Sequence, residues 1–328
     1  MMTKIKIGTP IIPRNKRDPT QSYRPVNKMF RDIEQRYYDI KQSLRQLFDI
    51  ALTGQSKEGQ SSYLLAKNEA GGPDWLFRVN QDAFIYDMSA SELALLLERI
   101  QAILDAYLLE GGKEQLWALS YVAAEYQRGT LNAYTNLSMQ SEIYAQQTTL
   151  SFLLSTPAYQ NQVAAAFVST YSDWKGISDA TRADLANVIT EAIARGINPR
   201  ETAGIVSKRL DVSMAKAKNI AQTEQVGALR EANWNESEWA KERLGLNTKL
   251  LWLSALKPTT RQWHAVRHGK LCTKQEAKEF YSKNGNRHHC YCAQLPVVLD
   301  DNGKLYNTGL TERLTEERKV WQESNLSK

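Results

Sequence analysis

The sequence predicts a mainly α-helical body followed by a small α+β module near the C-terminus, with a β-hairpin inserted among the helices. Three observations carry that prediction. Apolar residues recur at helical spacing through most of residues 26–247. The period changes after Gly245, where Lys249-Leu-Leu-Trp-Leu-Ser254 and AQLPVVL (293–299) read as strands around a short helix at 273–283. All four histidines and all three cysteines fall between His264 and Cys292, so the soft-donor chemistry of the chain is confined to a His/Cys-rich end unit.

Residues 1–25 read as an extended basic arm. Within the first thirty residues Lys4, Lys6, Arg14, Lys16, Arg17, Arg24 and Lys28 stand against Asp18 alone, which accounts for the net charge of +6. Pro10, Pro13, Pro19 and Pro25 oppose a helix and favour an extended path. The plain reading is a solvated tail. The functional one is a segment that orders on an acidic partner or on nucleic-acid phosphates, with Lys4, Lys6, Arg14, Lys16 and Arg17 as contacts.

Residues 26–155 form a helical region. Met29, Ile33, Tyr37, Ile40, Leu44 and Leu47 mark one amphipathic helix to about Gly54. Between 60 and 88, β-forming residues flank the turn signal Gly71-Gly72-Pro73, which predicts the hairpin. Ser89-Ala-Ser-Glu92 is a capping box opening a helix that Gly111-Gly112 stop. A longer helix is predicted from there to about Gln147. Its predecessor holds the run LALLLERIQAILDAYLL, broken by Glu98, Arg99 and Asp105, so no membrane span is expected.

Residues 156–247 continue in helices at about 157–174, 179–195 and 199–210, then one capped by Ser213 and stopped by Gly245. On this last helix Ala217, Ala221, Glu224 and Ala228 share a face. Glu224 there is either half of an ordinary salt bridge or a carboxylate that orients an imidazole. Residues 248–305 make up the α+β His/Cys module, and 306–328 a charged helix or tail.

Residues 1–18 lack the apolar core of a secretory leader. Three clustered cysteines are too few for a disulfide framework. Reduced thiols formed in a cytoplasm are therefore expected.

Catalytic templates fit poorly. His264-Ala-Val-Arg-His268 has the i, i+4 spacing that places two imidazoles on one helix face, as in a zincin, but Ala265 stands where that motif needs Glu. No family signature surrounds the cysteines to support a Cys–His hydrolase, and no phosphate-binding loop or nucleophile elbow is present. No catalytic residue is assigned. One structural zinc fits better, with His264, His268, Cys272, His288, Cys290 and Cys292 as candidate ligands. Cys290 and Cys292 on one strand would point to one face, with His264 and either His268 or Cys272 completing the shell. The metal-free alternative is a pair of packed thiols with ordinary histidine hydrogen bonds. Between 257 and 292 eight basic residues oppose Glu276 and Glu279, with Trp263 and Tyr281 among them. Arg261, Arg267, Lys270 and Arg287 are candidate nucleic-acid or partner contacts, a solvated charged face being the plain alternative.

The order of features resembles a known family. Ile220-Ala-Gln-Thr-Glu224 on a helix, Trp252 on a strand, Thr260-Arg-Gln-Trp-His264, Gly269, Cys290-Tyr-Cys292 and Leu295-Pro-Val297 follow one another over about 180–300. They are similar to the phage Mu F-like minor head proteins, also called phage head morphogenesis proteins. That family typically shows Ile-Ala-Arg-Thr-Glu, Thr-Arg-x-x-His-x-x-x-Asp-Gly and His-Pro-x-Cys-Arg-Cys. Here His268 stands in place of Asp, Arg287 in place of the His before the cysteines, and Tyr291 in place of the Arg between them. His288 or His268 would have to supply the missing imidazole.

The resemblance implies a non-enzymatic virion component, assembled in the host cytoplasm and incorporated in few copies in the head interior or at the portal vertex. It would aid head assembly or DNA delivery. The implied partners are the portal protein, the major capsid or scaffolding protein, and packaged DNA; no membrane is involved. The alternatives are a metal-dependent nuclease using His264, His268 and His288 or His289, and a zinc-stabilised nucleic-acid-binding protein.

Overall fold

The computed structural model describes residues 8–56, 63–65, 76–78 and 84–326. Helix α1 (Tyr23–Ala51) buries Met29, Ile33, Tyr37, Ile40 and Leu44, as their spacing requires. Pro25 lies in its first turn, where a missing N–H breaks no helical bond. Strand β1 (Gly54–Ser56) pairs with Phe84–Tyr86 (β4), and Tyr63–Leu65 (β2) pairs with Leu76–Arg78 (β3), both antiparallel. These ladders form the expected insertion; the turn at Gly71-Gly72-Pro73 lies outside the described residues. Helix α2 (Ala90–Leu108) carries both halves of the Ser89–Glu92 capping box.

The expected single helix to 147 is divided into α3 (Trp117–Gln140) and α4 (Glu142–Gln147). Ser141 between them is extended, and its hydroxyl accepts from Tyr144 N–H to cap α4. Then follow α5 (Leu150–Ser155), α6 (Pro157–Arg195) and α7 (Pro199–Leu244). Here the structure corrects the sequence reading, because the breaks expected near 175–178 and 211–213 do not occur. Ser213 caps nothing. Its hydroxyl is buried between Tyr37 Oη at 2.7 Å and Thr181 Oγ1 at 2.5 Å, so tertiary partners satisfy it within a continuing helix.

The described residues group into two compact units, and helices α1, α6 and α7 contribute to both. One comprises Asp32–Gln115 and Ser172–Ala217. Its core is apolar and helical, with Leu96, Ile100, Leu104 and Leu108 buried at every fourth position of α2.

The other comprises the described residues of Met1–Arg31, Leu116–Tyr171 and Lys218–Lys328. It contains β5 (Thr248–Leu253), α8 (Gln262–Ala265), β6 (Leu271–Cys272), α9 (Lys274–Ser282), β7 (Ala293–Val298) and α10 (Thr308–Leu326). The strands form an antiparallel sheet in the order β6-β5-β7. Alternation sends Leu250 and Trp252 to a cluster with Trp234, Tyr281 and Cys292, and Leu251 and Leu253 to a cluster with Leu310 and Leu314. A sheet covered on both faces explains the unbroken apolar run of β5. The outer edge of β7 carries Pro296, which has no N–H to offer. Gln140 of α3 covers this edge, donating to Pro296 O at 3.1 Å and accepting from Val298 N–H at 3.0 Å.

The described part of the basic segment, residues 8–22, lies on this unit instead of standing away from it as an arm for a partner. Ile11 N–H bonds to Asn136, Leu256 N–H bonds to Lys16 O, and Lys16 pairs with Glu317. Asp18, Thr20 and Ser22 are buried, and the Asp18 carboxylate caps α1 by accepting from Tyr23 N–H at 2.9 Å. Self-contained hydrogen bonding of this kind gives a proline-rich segment a place on its own chain.

Candidate functional site

The site is assembled from two loops beside β5 and β7. The first follows β5 into α8, a single turn that ends at Ala265. This corrects the expectation that His264 and His268 share a helix face. His268 sits in the turn beyond, its Nδ1 accepting from Ser254 N–H at 3.1 Å and its Nε2 facing Glu317 of α10 at 3.2 Å. Burial holds this imidazole below its ordinary pKa, against the pull of Glu317. Gly269 follows at φ +78°; a Cβ there would meet Leu314 Cβ at 2.8 Å, so α10 packs this closely only on a glycine.

The second loop runs from α9 to β7. Asn284, Gly285 and His289 are all left-handed, which turns the chain sharply twice and presents Asn286 and Cys290 inward. Cys290 and Cys292 precede β7 and do not lie on a strand, another correction. Their common direction has a different cause. Arg230 of α7, 2% exposed, donates from Nε to Cys292 O and from a terminal nitrogen to Cys290 O, both at 2.8 Å, while its guanidinium stacks 4.2 Å from the Tyr281 ring.

His264, Cys290 and Cys292 therefore come together, all buried, with their ligand atoms within 4.8 Å of one another. Among the described residues they form the cluster of His, Cys, Asp and Glu that could hold a metal ion. Cys272 is in β6, and burial pushes its thiol up to about 12, so it stays protonated. His288 is half-buried beside Thr223, its Nδ1 at 3.2 Å from the hydroxyl. Glu224 accepts from Thr170 at 2.7 Å. Arg261 uses its guanidinium on Asn286 O and His288 O, stapling the loop. Lys270 and Arg287 are exposed, Arg267 is half-buried, and Lys4 and Lys6 lie outside the described residues.

The donor set fits a soft metal. With Zn–S about 2.3 Å and Zn–N about 2.0 Å, tetrahedral ligands put sulfur and nitrogen about 3.5 Å apart. His264 Nδ1 lies 3.4 Å from Cys290 Sγ and 3.8 Å from Cys292 Sγ. Asn286 sets the ring from behind. Its amide nitrogen donates to Phe280 O, which leaves Oδ1 as the acceptor for Trp263 Nε1–H at 2.8 Å and for His264 Nε2 at 3.3 Å. With Nε2–H donated to Asn286, Nδ1 offers its lone pair to a metal.

The same atoms also describe a metal-free state. His264 Nε2 then accepts from Arg261 at 3.2 Å, and Nδ1–H donates toward Cys290. Burial opposes a thiolate at Cys290, but the Cys292 thiol, the Arg230 guanidinium and His264 together outweigh it and hold Cys290 well below the ordinary thiol range. Cys292 moves the other way, raised by its hydrogen bond with Cys290, by burial and by its neighbour's charge.

With this geometry in place, sequence comparison adds a family match over part of the chain. Residues 183–295 match the family described as phage Mu protein F like protein. The phage Mu F-like segment spans the end of α6, all of α7, β5, both site loops and the first residues of β7. It thus contains Arg230, Asn286 and all three members of the cluster. No curated protein and no solved structure matches the chain.

Arg230 and Asn286 were missed in reading the sequence. The signal for Arg230 was faint: a single arginine in the Ala-rich part of α7, eighteen residues before β5 begins. Asn286 gave none, because its role exists only where two loops meet.

Proposed function

We propose that the protein is a minor head protein of a tailed phage that acts by binding during head assembly or DNA delivery, in few copies and near the portal. The match to the phage Mu protein F like family over residues 183–295 carries this reading. The cluster supports it from the chemical side: His264, Cys290 and Cys292 are buried, and Arg230, Arg261 and Asn286 tie its loops together, an arrangement suited to holding a fold. Zinc is the metal proposed there, with three protein ligands, and when bound it would cross-link the α8 loop to the segment before β7. The exposed Lys270 and Arg287 and the basic residues Arg14 and Arg17 suit an acidic head partner or packaged DNA.

Tagged protein recovered from infected cells tests the reading. Portal protein is expected to copurify, and the tagged chain is expected in purified heads. Free portal left behind, with no tagged chain in heads, would overturn it. Metal-dependent cleavage of plasmid by the purified protein, lost on His264→Ala with the fold retained, would replace it with the nuclease alternative.

A further inference from the structure

We propose that a cleft beside the His264–Cys290–Cys292 cluster binds one nucleotide unit of single-stranded nucleic acid, base on Trp263 and phosphate on Arg267 and Lys270. The cleft has a volume of about 540 Å³, and Trp252, Trp263, Arg267, Lys270, Phe280 and Asn286 all line it. That size is in the range of small-ligand sites.

Trp263 is 51% exposed, yet it is not loose. Its indole N–H is fixed on Asn286 Oδ1 at 2.8 Å, giving a positioned aromatic surface on which a base can stack. Arg267 is held by its own stacking, 4.4 Å from the Phe280 ring and 5.4 Å from the Trp252 ring. Neither Arg267 nor Lys270 makes an ion pair among the described residues. The carboxylates that share the cleft are already engaged: Glu276 closes the capping box of α9 through Thr273, and Glu279 pairs with Lys283 at 2.5 Å. Hydrogen bonding leaves both carboxylates charged, but three cations of the lining, Arg267, Lys270 and Lys283, face these two, so the balance is positive.

The rest of the wall is aromatic as well: Trp252, 1% exposed, and Phe280 line the cleft. Among anions, a nucleotide combines an aromatic face, ring and sugar acceptors, and a phosphate. A duplex would offer phosphates but keep its base faces stacked away from Trp263.

This inference deepens the nucleic-acid contact proposed above and can fail separately from it: portal copurification does not depend on the cleft, and oligonucleotide binding does not depend on heads. The test uses the purified full chain and a labelled oligo-dT of about ten nucleotides, within the usual site size for one single-strand-binding fold. Anisotropy should show saturable binding that weakens as salt rises, with a logarithmic slope of about −1.4 for two phosphate-contacting cations. Trp263→Ala should weaken it about tenfold or more. Lys270→Glu should also weaken it and lower the slope. Trp263→Phe, which keeps an aromatic surface, should retain most affinity and guards against a folding defect in the alanine variant. Binding unchanged in Trp263→Ala at an unchanged melting temperature would overturn the proposal. So would equal competition by blunt duplex or inorganic polyphosphate, which would reduce the cleft to a general basic surface.

Discussion

In the unit formed by Asp32–Gln115 and Ser172–Ala217, the deepest side chains of α2 are Leu96, Ile100, Leu104 and Leu108, and each can be exchanged for another apolar residue of similar volume. In the other unit, the equivalent depth around β5 and β7 is occupied by Arg230, His264, Asn286, Cys290 and Cys292, whose value lies in particular atoms at particular distances. Burial of hydrocarbon is non-directional and tolerates substitution. Buried polar contacts carry the opposite property, because removing one member leaves its partner without solvent or hydrogen bond. The helical unit should therefore yield gradually to mutation, and the α+β module abruptly.

The strongest way to break this contrast is through metal. Elemental analysis of purified protein should find about one zinc per chain, and Cys290→Ser should remove it. Stripping the metal should lower the stability of the module while the buried α2 ladder keeps its hydrogen-exchange protection. Complete structural zinc sites contribute on the order of 10 kcal/mol, and three protein ligands should give less. Protein that purifies without metal, and melts identically with and without chelator, would leave the thiolate–guanidinium packing as the whole of the cluster.

A pair of substitutions sharpens the comparison. Arg230→Met should cost about 4 kcal/mol in urea unfolding, since it strands two buried carbonyls and removes the positive charge beside Cys290. Leu104→Ala should cost about 3 kcal/mol through cavity formation. The distinguishing readout is repair: Arg230→Lys should recover little, because an ammonium cannot span both carbonyls, whereas Leu104→Met should recover most. Full recovery by lysine would show that charge alone matters at position 230.

The smallest effect expected is a pH dependence at Glu236 of α7, buried with the Tyr144 hydroxyl 2.5 Å from its Oε1. Burial pushes this carboxyl up to about 7 from an ordinary 4.5. Between those values the folded chain keeps a proton that the unfolded chain has released. Its contribution to stability is thus fully present below about 4.5 and falls as pH rises through about 7, by about 3 kcal/mol in all. Glu236→Gln keeps an acceptor for Tyr144 and removes the titration. It should raise stability by about 2 kcal/mol at pH 8 and change little at pH 4. Equal effects at both pH values would show that the carboxyl is not shifted.

Much of the helical architecture was legible because its signals are local. The stripe of α1, the Ser89 and Thr273 capping boxes and the apolar run of β5 each lie within one element. Errors appeared where a local signal had a distant answer. Ser213 resembled a cap, but Tyr37 and Thr181 satisfy it. The spacing of His264 and His268 resembled a helix face, but the helix ends after one turn because Ser254 accommodates the chain beyond it: its hydroxyl donates to His264 O and its N–H to His268.

The sequence by itself determined which residues carry chemistry: seven soft donors confined to 264–292, a family pattern in the right order, and the elements that flank them. Only the tertiary structure selected His264, Cys290 and Cys292 from those seven and sent His268 to Glu317, His288 to Thr223 and Cys272 into the sheet. The physical reason is that ligation is a matter of distances between side-chain atoms on separate loops. Those distances are set by residues with no periodicity of their own, above all Arg230 holding two carbonyls and Asn286 holding two rings.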